Sequence, residues 1–144
     1  MRCFLLIFSL LLSGVGLAEE QEKSVYALNK EALERAVKIY LAYEARHDVE
    51  PNVGADLQLP DKAKFRMKKG AEFDEWIYPI ALGLEIKIEE EQRRIVIMAP
   101  RACYGWYLIG TDDLTVKGYR GAQIQKIFDA LDARRAKLAE SPLD

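Results

Sequence analysis

The sequence predicts an α+β domain of two layers: an N-terminal helix, an antiparallel meander of four or five strands and a C-terminal helix. Three observations point there. Apolar residues recur at helical spacing over residues 30–47 and again over 122–139, and between these stretches the pattern switches to alternation. Turn residues then divide the alternating part into short segments. The chain has 144 residues, 50% hydrophobic and 31% charged, which suits one core and is too short for two.

The chain opens on an export segment. Arg2 precedes the apolar block Phe4 to Leu12, and small residues lead to Ala18 before Glu19-Glu20. That order is a secretory signal peptide, residues 1–18, with cleavage after Ala18 and a single α+β domain over residues 19–144. The apolar centre falls short of the roughly 20 residues of a spanning helix, so no stable membrane span is expected after cleavage. Periplasmic or secreted localisation follows. Cleavage removes Arg2 and Cys3 and leaves Cys103 as the one cysteine, so the domain rests on core burial without an internal disulfide. Between apolar neighbours, Cys103 reads as a small buried hydrophobe.

The first core helix is expected to begin at Asn29, an N-cap residue with a hydrophobic staple between Leu28 and Leu33. Ala32, Ala36, Ile39 and Tyr43 form its stripe, widened by Leu33, Val37 and Tyr40; Arg46 and His47 suit its last turn, and Pro51 stops it. After a loop over 49–61, Lys62, Lys64, Arg66 and Lys68 alternate with Ala63, Phe65 and Met67. On a strand this sets four cations on one face and an apolar row on the other. The acidic cluster Glu72, Asp74, Glu75 follows, then Trp76. Alternation over Ile80–Ile88 and the run Arg93–Ala99 predict a hairpin joined at Glu89–Gln92. Tyr104–Ile109 and Leu114–Tyr119 predict a second, joined by Gly110–Asp113. The final helix presents Ile124, Ile127, Phe128, Leu131, Arg135 and Leu138 on one face.

Charge and motifs narrow the function. With 21 basic and 23 acidic residues, nucleic-acid binding by bulk charge is disfavoured. The sequence carries no Ser-His-Asp arrangement, glycine-rich phosphate loop or Cys-x-x-Cys, and with one histidine it offers few of the usual players of nucleophilic or metal-hydrolytic chemistry. No catalytic residue and no cofactor are assigned. Glu44, His47 and Asp48 have helical spacing for one ion, but a carboxylate-rich helix end reads first as solvated. Asp74 and Glu75 beside Trp76 point to opposite faces of a strand, which disfavours shared acid/base work.

A binding surface is the stronger reading. Tyr104, Trp106 and Tyr107 form an aromatic run in which Tyr104 and Trp106 share a strand face, and such residues beside a basic row are what protein interfaces use. Lys62, Lys64, Arg66, Lys68, Tyr104, Trp106 and Tyr107 are therefore the candidate partner-binding residues. The partner would be another exported protein with an acidic surface, and the chain its inhibitor or accessory protein. Two other readings stand beside this one. Small residues Ala81 and Gly83 near large aromatics suit a pocket for a small ligand, with weak catalysis by a carboxylate. A hydrophobic N-terminus continuing into a helix and then a sheet also resembles pilin-like subunits in outline. The glycine followed by Phe-Thr-Leu and a glutamate at which such subunits are processed does not occur, so this resemblance is one of architecture and implies a structural subunit of a surface assembly.

Overall fold

The computed structural model describes residues 4–53, 55–69, 72–77 and 80–140, with side chains described over 25–53, 55–66, 80 and 82–140. Helix α1 (Phe4–His47) is one uninterrupted rod of 44 residues. It does not begin at Asn29, as the capping pattern suggested. Residues 18–23, Ala-Glu-Glu-Gln-Glu-Lys, are strong helix formers and carry the helix through. Leu28, the supposed staple, is 42% exposed, and Asn29 is spent on another segment. After His47 the backbone turns left-handed at Asp48 (φ 55°), whose N–H still donates to Glu44 O at 2.8 Å, and the rod ends.

A single 3-10 turn, Asp61–Ala63, leads into β1 (Phe65–Lys69). The expected strand thus starts three residues late, and Lys62 lies on the turn. Of the expected apolar row, Ala63 and Phe65 are fully buried against α1, and the side chain of Met67 lies outside the described residues. Strand β2 (Glu72–Ile77) pairs antiparallel with β1 as a separate two-stranded sheet. The side chains of Lys68, Asp74, Glu75 and Trp76 lie outside the described residues.

The main sheet is a four-stranded antiparallel meander, β3 (Ile80–Ile88), β4 (Glu91–Met98), β5 (Tyr107–Thr111) and β6 (Val116–Tyr119), in that spatial order. Glu89 and Glu90, at φ 48° and 69°, form the two-residue turn between β3 and β4. A bulge at Leu82–Gly83 breaks the register of β3 against β4, with Gly83 left-handed at φ 58°. The structure corrects the second hairpin. Tyr104 (φ 50°) and Gly105 (φ 80°) make a tight turn between Cys103 and Trp106, so β5 begins at Tyr107 and runs on through Gly110 and Thr111.

Helix α2 (Gly121–Glu140) closes the fold. The sheet is sandwiched between the helices in three layers; the two expected layers become three because both sheet faces are apolar. Val96, Ile97, Leu108 and Val116 pack with Leu33, Ala36, Val37 and Tyr40 of α1. Ile86, Ile88, Ile95, Ile109 and Tyr119 pack with Ile124, Ile127 and Leu131 of α2. The unbroken apolar run Ile95–Ala99 is the sequence mark of such a strand, covered on both sides.

Candidate functional site

The site is built around a buried asparagine. Asn29 is 1% exposed in mid-helix, and its amide does for β1 what a neighbouring strand would. Its Oδ1 accepts the Arg66 N–H at 2.8 Å and its Nδ2 donates to Arg66 O at 3.0 Å. The same Nδ2 lies 3.4 Å from Cys103 Sγ. One side chain therefore fastens the basic strand and the Cys103–Trp106 turn to the same stretch of α1. Two sequence segments 37 residues apart come together through it, and a buried polar group is satisfied in the process.

Around this bridge the candidate residues divide. Tyr104 sits at the tip of the turn, 43% exposed. Trp106 is half-buried, and the Arg120 guanidinium stacks 4.3 Å from its ring centroid. Gly118 lets this corner close, because a Cβ there would lie 2.5 Å from the Tyr26 hydroxyl and 3.3 Å from the Trp106 ring. Lys62 is exposed, with its carbonyl 3.4 Å from Arg35 Nη1. Lys64 pairs with Asp61 at 3.0 Å. Arg66 is half-buried.

Tyr107 belongs elsewhere. It points to the other side of the sheet and meets Phe128 of α2 edge to face, centroids 5.1 Å apart. Tyr104, on a turn, shares no strand face with Trp106. The basic row and the aromatic turn are neighbours, but four cations in a line are not seen: Lys62 precedes the strand, Lys64 is engaged, and the side chain of Lys68 lies outside the described residues. Sequence reasoning missed Asn29, Tyr26 and Arg120. The only signals were a glycine at 118 between large residues and an asparagine within a helical pattern.

Burial sets the protonation of this corner. It raises the Cys103 thiol, with the Asn29 hydrogen bond acting the other way, and it raises the Tyr26 phenol. Cys103 is buried as expected, and a raised thiol pKa makes it a poor nucleophile.

The other expected constellations resolve into structural pairs. Glu44 accepts two hydrogen bonds from Arg94, both 2.6 Å, and His47 stacks on Tyr43 with ring centroids 4.2 Å apart, so Glu44, His47 and Asp48 do not converge. Among the described residues no group of three His, Cys, Asp or Glu is placed to hold a metal ion. Arg94 also lies 3.7 Å from Glu50 and 3.9 Å from Asp112. Burial first, then the Glu50 and Glu44 carboxylates, push the neighbouring Tyr40 phenol up to about 12.

The Glu50 carboxylate packs over Gly83, where a Cβ would lie 2.6 Å from Glu50 Oε2. The side chain of Ala81 lies outside the described residues. An open groove of about 390 Å³ beside Tyr40, Glu50, Val53 and Leu82 borders this point. On the α2 side, a groove of about 220 Å³ has Ile109, Thr111 and Tyr119 in its floor. Its rim charges are paired among themselves, Arg93 with Glu91 and Asp113, Lys117 with Glu89.

Compared with protein-family models, curated proteins and solved structures, the chain matches none.

Proposed function

We propose that the chain is an exported protein-binding module, an inhibitor or accessory protein that meets an acidic, partly apolar surface on another exported protein. The observation that carries this reading is the Asn29 bridge, which puts the cationic segment 62–66 and the 103–106 turn on one stretch of α1. Its contact residues are Tyr104, Trp106 with Arg120 stacked on it, Lys62 and Arg66. Rigid aromatic rings next to guanidinium groups give large contact area at low entropy cost, and positive charge selects an acidic partner. Tyr107, packed against Phe128, is left out of the surface.

A second reading is favoured by one feature. The apolar block and the core-packing helix form a single rod, about 66 Å long at 1.5 Å per residue over 44 residues, as a helix-anchored subunit of a surface assembly would have. Among the described residues no helix is long and apolar enough to cross a membrane.

One experiment separates these readings. A photo-crosslinking residue is placed at 104, at 62 and, as control, at exposed Gln125 on α2, in the intact envelope of the host. A discrete adduct at 104 and 62 that is missing at 125, on a chain beginning at Glu19, is the expected result. No adduct at 104, or the same adduct at all three positions, overturns the assigned surface. A chain that retains residues before Glu19 replaces the module by the anchored subunit.

A further inference from the structure

Among the described residues, strand β3 is an edge strand of the main sheet, paired on one side by β4. Its usable free edge is short and sharply bounded. At one end the Leu82–Gly83 bulge interrupts the ladder, with the Glu50 carboxylate set over Gly83. At the other end the chain turns at Glu89–Glu90. Between them lie five regular residues, Leu84–Ile88, whose midpoint is Ile86.

The register fixes which backbone groups face outward. In a two-residue hairpin the closing pair, here Ile88 and Glu91, exchanges both hydrogen bonds, and the pattern then alternates. Leu84, Ile86 and Ile88 thus spend their backbone groups on β4. Glu85 and Lys87 direct theirs to the open edge. Their side chains are exposed and stand on the α1 side of the sheet, opposite to Ile86 and Ile88, which belong to the α2-side cluster.

We propose that β3 pairs antiparallel with β3 of a second copy of this chain, with Ile86 on the two-fold axis. In that register Glu85 of each copy faces Lys87 of the other, twice, and these are the two residues whose backbone groups are free to exchange hydrogen bonds. Ile86 meets Ile86 across a non-hydrogen-bonded position, where strands approach most closely, and joins the two α2-side clusters. Shifting the pairing by two residues either way sets Glu85 on Glu85 or Lys87 on Lys87 across the axis. A shift by one opposes groups already used by β4. The edge is therefore self-complementary in one register and repulsive in its neighbours, a pattern that specifies a second copy and not an arbitrary strand. Within one copy Lys87 lies 2.9 Å from Glu90, but both side chains are more than half exposed, so that pair yields readily to a cross-strand partner. The result is one sheet continuous across two copies, with β3 edges removed from solvent.

The test uses the full-length chain and two charge reversals at exposed positions, Glu85→Lys and Lys87→Glu, with sedimentation equilibrium as readout and circular dichroism as the check on folding. Wild type is expected to dimerise. Each reversal alone places two like-charge pairs across the axis and should weaken the dimer by about tenfold or more. Mixing the two single variants restores Lys–Lys and Glu–Glu contacts to opposite-sign pairs and should recover dimer at wild-type affinity. A wild type that stays monomeric up to about 0.5 mM, where even weak specific pairs associate, overturns the proposal. So do single variants that dimerise like wild type, or a mixture that does no better than either variant alone.

Discussion

On the α1 side of the main sheet, Leu33, Ala36, Val37, Val96 and Leu108 are wholly sealed from water, whereas on the α2 side Tyr119, Ile124 and Met98 keep 6–8% of their surface exposed and a groove reaches Thr111. Both faces are lined by similar aliphatic residues. They differ in what the strands allow to approach. On the α1 side β5 and β6 carry Gly110 and Gly118, and a Cβ on Gly110 would run into the Val37 methyl group. On the α2 side the same strands carry Ile109 and Tyr119, and α2 packs chiefly along β3. Helix α2 also has no buried residue beyond Leu131, so its last two turns stand clear of the sheet. The glycines let α1 settle onto β5 and β6, while α2 lies chiefly along β3 and leaves the groove at Thr111 open.

Truncating one large side chain on each face gives the largest expected contrast. Leu108→Ala removes an α1-side side chain wholly sealed from water and leaves a cavity, which should cost about 3–5 kcal/mol. Tyr119→Ala removes a ring beside an open groove, water can enter, and the loss should be nearer about 2 kcal/mol. Urea unfolding of both variants measures the contrast, and equal losses would show that the two faces are sealed alike. A smaller effect sharpens the same point. Gly110→Ala should destabilise by about 1–3 kcal/mol through overpacking. Because the collision is with the Val37 side chain, the double variant Gly110→Ala/Val37→Ala should be less destabilised than the sum of its parts. Additive losses would mean that Gly110 is not what admits α1.

What the sequence could and could not disclose follows the same physics. Periodicity located α2, β3, β4 and the stripe of α1, because burial of whole faces writes itself along the chain. The inward row Ala63 and Phe65 was legible for that reason. The start of α1 was not, because a cap pattern at Leu28-Asn29 looks the same whether Asn29 binds its own helix or, as here, the backbone of Arg66. Tyr104-Gly105 was read as strand because a glycine in an aromatic run gives no sign of positive φ until its partners across the turn are known. For the site, proximity of the basic and aromatic segments was assumed from chemistry and is realised through Asn29. The departure of Tyr107 to the α2 face required knowing where β5 begins. The stack of Arg120 on Trp106 depends on a register between strands that no local pattern encodes.

The smallest expected effect concerns a charged link found on the α1 side. Glu44 near the end of α1 and Arg94 on β4 share two hydrogen bonds of 2.6 Å, with Glu50, Asp112 and the Tyr40 phenol facing the same guanidinium. These hydrogen bonds hold the Glu44 carboxyl below its ordinary value of 4.5, against the opposing effect of burial. A carboxyl with a lowered pKa in the folded chain adds stability that is fully present above its unfolded value and fades as pH falls through its folded one. The Glu44 contribution should therefore hold at neutral pH and begin to fade as pH falls below about 4.5. Because water reaches the pair, its size should be about 1 kcal/mol. Glu44→Gln should lower stability by that amount at pH 7, and the difference from wild type should shrink as pH falls below about 4.5 and Glu44 protonates. Asp113, held low chiefly by the Thr111 hydroxyl, titrates in both proteins and cancels from the comparison. A difference that does not shrink as the pH is lowered below about 4.5 to the limit of folding would mean that Glu44 stabilises by shape and hydrogen bonding alone, and that the charge on Arg94 does not tie the end of α1 to the sheet.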